Sequence, residues 1–199
     1  MERTRLLADL ERLAGKYRAL AALRERREAA EALGLARFGR DEAAARGDEF
    51  RRVAREFPGA LRELDVTPAA VLAGRARDVE TEIAQLRAEP GRGAPGRAWV
   101  TIVLDYHATL RELLVAKLWL SANVPRGGLV TDEIAERYRA WRRASGDVLP
   151  AELDVALLAG CLRPPGGRLN PLVWEALERR HGLPREEIER AVFGAGAAG

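Results

Sequence analysis

AWVTIVLDYHATLRELLVAKLWLS, residues 98–121, puts apolar side chains on almost every side of a helix. Trp99, Val100, Ile102, Val103, Leu104, Tyr106, Leu110, Leu113, Leu114, Leu118 and Leu120 leave no broad polar face. A helix of that kind is expected to be surrounded by others and to act as the hub of the fold. Asp105, His107, Arg111, Glu112 and Lys117 interrupt the run, which argues against a membrane span. No alternating strand pattern of useful length and no internal repeat accompanies it. The expected fold class is therefore all-α: an N-terminal helical hairpin or bundle, plus a C-terminal bundle built around this central apolar helix.

Upstream of the hub, residues 89–97 read EPGRGAPGR. Two prolines and three glycines in nine residues cannot continue a helix, so this stretch is a linker or an exposed loop. It separates an N-terminal helical region, residues 1–88, from a C-terminal helical bundle, residues 98–193. The Ala/Gly tail, residues 194–199, is expected to fray. The first helix should run from about Thr4 to Leu33. Leu6, Leu10, Leu13, Tyr17 and Leu20 recur at alternating spacings of four and three, a coiled-coil-like seam of about two and a half heptads. Such a seam suits either an intramolecular bundle or a homodimer through residues 4–33. A second helix is expected over roughly Asp41 to Phe57 and a short one over Ala60 to Asp65. A longer one runs to about Ala88, capped by Thr67 with Pro68 in its first turn.

Downstream, Thr131 should cap a helix reaching Ala144, with Ile134, Tyr138 and Trp141 turned inward and Arg139, Arg142 and Arg143 outward. A shorter helix is expected near Pro150 to Gly160. Residues 162–193, LRPPGGRLNPLVWEALERRHGLPREEIERAVF, then show a stiff loop and two helices separated by Gly182, a helix–turn–helix shape. Shape alone does not give a function.

Composition narrows the chemistry. Lysine occurs only at positions 16 and 117, and every other basic residue among the 33 is arginine. Scarce Ile, Asn and Met accompany it, which fits GC-rich coding better than phosphate recognition. Residues 1–88 carry 18 basic and 16 acidic side chains, residues 89–131 carry 5 and 3, and residues 132–199 carry 10 and 11. The helix–turn–helix block thus lies in the least basic third, where a nucleic-acid module would concentrate positive charge. Three glutamates against two arginines in residues 184–193 point the same way, so nucleic acid is not the favoured partner. Ile188, Val192 and Phe193 read as packing residues that close the C-terminal bundle. A single cysteine, Cys161, excludes an internal disulfide, and two distant histidines, His107 and His181, make a metal site improbable. The start MERTRLLADLER lacks the core of a signal peptide, so a bacterial cytoplasm is the expected compartment.

Two polar groupings invite a site. Arg163, Gly166, Gly167, Arg168 and Asn170 could cradle an anion, because glycines let backbone N–H groups approach a ligand and a helix N-terminus attracts negative charge. Their spacing matches neither a Walker loop nor a dinucleotide fingerprint. His107 and Arg111 share a helix face, but Asp105, two residues from His107, cannot orient it, so any triad needs partners from other helices. No nucleophile, metal cluster or cofactor loop stands out, and no catalytic residue or cofactor is expected. The reading is a non-catalytic cytoplasmic helical protein that binds a protein partner or itself and has no membrane contact. The alternatives are a DNA-binding regulator using residues 170–193 and an enzyme with a site assembled around His107.

Overall fold

Leu10, Leu13, Tyr17 and Leu20 are fully buried on one face of the first helix, α1 (Arg3–Ala32), with Leu6 and Leu23 nearly so. The seam read from the sequence is therefore occupied inside the single chain. These details come from a computed structural model that describes residues 3–32, 47–89, 91, 97–125, 128–145 and 171–194. Among them every regular element is an α-helix: α1, then α2 (Gly47–Glu56), α3 (Ala60–Val66), α4 (Ala69–Ala88), α5 (Ala98–Asn123), α6 (Asp132–Ala144), α7 (Pro171–His181) and α8 (Arg185–Phe193). The molecule is an all-α helical bundle protein.

The contacts divide into two compact units. One comprises residues up to His107 together with Glu186 onward; the other runs from Ala108 to Arg185. The division thus falls within α5, not in the Pro/Gly stretch 89–97. Of that stretch only Glu89, Gly91 and Arg97 are described.

In the first unit α1 packs along α4, and the paired residues show an antiparallel hairpin. Arg3 donates to the Leu86 carbonyl at 2.6 Å, Arg87 pairs with Glu11 at 2.6 Å, and near the other end Glu28 accepts the Ala69 N–H at 3.1 Å. Leu72, Ala76, Val79, Ile83 and Leu86 form the buried stripe of α4. Between α2 and α3 the chain turns through Pro58 and Gly59, whose φ of 89° is a left-handed conformation that favours glycine.

One expectation needs correction here. Thr67 does not cap α4; it ends α3, and its hydroxyl donates to the Phe193 carbonyl at 2.7 Å. The start of α4 is served instead by Glu28, a carboxylate from across the hairpin.

In the second unit Thr131 does cap α6, accepting the Ile134 N–H at 3.4 Å. Tyr138 is fully buried, but Trp141 is 40% exposed. Arg142, expected outward, is buried and paired with Glu112 of α5. A pairing carboxylate on the facing helix accounts for the exchange, because a buried arginine needs one. The helix expected near 150–160 lies outside the described residues.

Candidate functional site

Lys16 occupies a position one turn from both Leu13 and Leu20, so helical geometry turns it into the core with them. Glu63 stands in the same relation to Ala60 and Thr67 on α3, both of them buried. Lys16 and Glu63 are each 0% exposed and His107 is 1% exposed. Burying ions without partners is costly, and these three supply partners to one another.

The Lys16 ammonium is ion-paired with Glu63 Oε2 and lies 2.7 Å from His107 Nε2. It also sits 4.4 Å from the centre of the Tyr17 ring and 5.6 Å from that of Phe57, where ring faces favour a cation. His107 Nε2 is 3.9 Å from Glu63 Oε2, and His107 Nδ1 lies 3.1 Å from the Pro58 carbonyl oxygen. Arg75, 11% exposed at its side chain, approaches Glu63 Oε1 at 3.8 Å and donates to the Tyr17 hydroxyl at 3.2 Å. The same guanidinium reaches the carbonyls of Arg190, Ala191 and Val192, the last turn of α8. Tyr106 closes the group, its ring centre 5.1 Å from that of His107 and 5.8 Å from that of Phe193.

The cluster sets the proton affinities within it. Burial is the largest influence on Lys16 and pulls its pKa below the ordinary lysine value, against the opposing pull of Glu63. Burial likewise pushes Tyr17 well above the usual tyrosine range, with the Glu63 charge adding to it. Tyr106 is raised for the same two reasons in the same order. The chemistry on display is that of a closed charge cluster joining α1, α3, α4 and α5.

The chain matches no family model, no curated protein and no solved structure. Its own residues must carry the functional reading.

Of the residues singled out from sequence, His107 is in this cluster and Arg111, one turn further along α5, is exposed. Lys16 and Pro58 are among the groups that hold His107. Glu112 pairs with Arg142 of α6. Arg163, Gly166, Gly167, Arg168 and Asn170 lie outside the described residues, as does Cys161. Among the described residues no group of three or more His, Cys, Asp and Glu side chains could hold a metal ion, and no helix is long and apolar enough to cross a membrane.

Sequence reasoning missed Lys16 and Glu63. For Lys16 a signal existed: one of two lysines in an arginine-rich chain, placed on the apolar face of a seam. Glu63 gave a weaker one, an acid at core spacing in a helix of only seven residues. The helix α8 also differs from expectation. Ile188, Val192 and Phe193 are buried as packing residues, but Phe193 packs on Tyr106 in the unit formed with α1 to α4, not in a C-terminal bundle. The donors Arg75 and Thr67, which satisfy the carbonyls ending α8, explain the choice.

Proposed function

We propose that this chain is a non-catalytic interaction module that receives an amphipathic helix of a partner protein on the second unit. One observation carries the reading: Leu114 is 46% exposed and Leu118 64% exposed, one turn apart on α5. On a helical wheel Thr109, Leu113, Ala116 and Leu120 make the buried face of this segment, and Leu114 and Leu118 sit opposite them. Arg111 and Lys117, both exposed, border the leucines on either side. The acid of this segment, Glu112, is turned toward Arg142. An apolar row bordered by cations suits a helix whose own apolar row is bordered by carboxylates.

The enzyme alternative draws on the lowered Lys16 beside His107, an arrangement that nucleophilic chemistry can use. Full burial of Lys16 and Glu63 leaves a substrate no approach, so this reading ranks second. For nucleic acid the support is weaker. The exposed residues of α8 are Arg185, Glu186, Glu187 and Arg190, with no excess of positive charge.

The test is fluorescence anisotropy with two designed helical peptides, one with a leucine row bordered by glutamates and one with the same row bordered by lysines. The glutamate peptide should bind, Leu118→Asp should abolish binding, and Lys117→Glu should shift preference toward the lysine peptide. Binding of neither peptide, or binding indifferent to Leu118→Asp, overturns the reading. Self-association that Leu118→Asp removes would assign the row to a second copy instead and overturn the partner-helix version.

A further inference from the structure

We propose that the first unit carries a receptor for the C-terminal end of a helix, which α8 fills exchangeably, so that α8 of a second copy of this chain can take its place. The last four carbonyl oxygens of any helix have no partner within it. At the end of α8 one guanidinium and one hydroxyl serve all four. Arg75 donates to the carbonyls of Val192, of Ala191 at 2.7 Å and of Arg190 at 3.4 Å, and Thr67 donates to that of Phe193 at 2.7 Å. The Arg75 cation also faces the negative end of the helix dipole. These donors read backbone, and they lie at least 115 positions away in sequence.

Side chains supply the rest of the fit. Phe193 is 1% exposed, its ring edge-on to Tyr106 at 5.8 Å and the Arg62 guanidinium 4.9 Å from its centre. Ile188 and Val192, one turn apart, are fully buried on the same helix. Gly194 then takes a φ of 88°, a conformation that favours glycine, and a Cβ there would meet Val71 at 3.4 Å and Thr67 at 4.0 Å. The cleft thus grips a helix that ends on an aromatic residue with a sharp stop behind it.

The path of the chain decides which helix end reaches the cleft. Residues 108–185 form the second unit, and the chain rejoins the first only from Glu186. Gly182, with a φ of 64°, Leu183 and Pro184 link α7 to α8. Hence α8 is a nine-residue helix tethered to its own cleft through a separate unit. A second copy offers the same helix end with the same contacts, so exchange between copies gives up only the tether. In a lone chain the tether keeps the effective concentration high, and the cleft is filled from within.

The experiment uses two full-length variants. Phe193→Asp spoils the helix end and leaves the cleft; Arg75→Ala spoils the cleft and leaves the helix end. Each alone should sediment as a monomer. Their mixture should form a heterodimer, in which the Phe193→Asp chain receives α8 of the Arg75→Ala chain. A mixture that stays monomeric, with both chains folded by circular dichroism, overturns the proposal. A heterodimer that disappears when both chains also carry Leu118→Asp would belong to the row on α5, and overturns it too. Should either variant fail to fold, amide exchange of the wild type decides. Amides of residues 188–193 should exchange at least about tenfold faster than those of α1 and α4, through an opening of α8 alone. One common rate for the three helices would mean that α8 leaves only when the whole unit unfolds, which overturns the exchange.

Discussion

Lys16 shows how much one side chain can depend on another. Its ammonium is buried with Glu63, and removing Lys16 leaves the Glu63 carboxylate buried with only the more distant Arg75, at 3.8 Å, to balance it. Lys16→Met should therefore destabilise the protein by about 3–5 kcal/mol, whereas Lys16→Met with Glu63→Gln should recover much of the loss, because the charge that remains, Arg75, is held by the carbonyls of α8. Denaturant melts of the two variants check this. The tyrosines add a pH signature at the alkaline end. Tyr17 and Tyr106 keep their protons in the folded state at pH values where free tyrosine ionises, near 10. The folded state then holds more protons than the unfolded one, so stability falls as pH rises past about 10, by about 1.4 kcal/mol per unit for each tyrosine. Lys16 works in the opposite sense below that range. Its lowered value means stability is gained as pH climbs toward the free lysine value of about 10.4, then levels off. Tyrosinate absorbance should thus appear together with loss of helical signal. In a Tyr138→Phe chain, whose remaining tyrosines are Tyr17 and Tyr106, an absorbance rise at about pH 10 while the chain is still folded would contradict the burial of both rings.

At the scale of elements, the ends of helices are secured by distant residues, and this limits what the sequence reveals. Periodicity was enough for α1, whose apolar seam is uninterrupted, and for α6, whose Thr131 cap is local. It was not enough for α4, because Thr67 had a competing acceptor at Phe193, 126 residues away. The cap that replaced it, Glu28, lies in another helix. Accepting the Ala69 N–H, and secondarily the charge of Arg24, holds the Glu28 carboxyl below its ordinary value. A carboxylate so lowered stabilises at neutral pH, and the effect is lost as pH falls through the acid range. The side chain is 40% exposed, so the contribution is discounted. Glu28→Ala should cost about 0.5 kcal/mol, at the low end for a cap. The end of α8 depends on Arg75, which reaches three of its last carbonyls. Arg75→Ala should release that turn first, seen as faster amide exchange in residues 190–193 while α1 and α4 stay protected.

For the whole molecule, the all-α class was legible from the absence of alternating patterns and from the run 98–121. Its surroundings were not. A helix apolar on every side reads as buried on every side, yet the sequence of α5 does not say which neighbours will cover it. The structure separates the two faces: Leu113 and Leu120 are 6% and 0% exposed, while Leu114 and Leu118 stand open. Positions one or two residues apart differ greatly in energetic consequence. Leu120→Ala leaves a cavity among packed side chains and should cost about 2–5 kcal/mol. Leu118→Asp changes a side chain that water already reaches and should stay within about 0.5 kcal/mol of the wild type. Thermal melts of both variants separate the two faces directly. If Leu118→Asp were as damaging as Leu120→Ala, the row would be part of the core and the interaction reading would lose its surface. If it melts like the wild type and also abolishes peptide binding, the open leucines serve recognition and not folding.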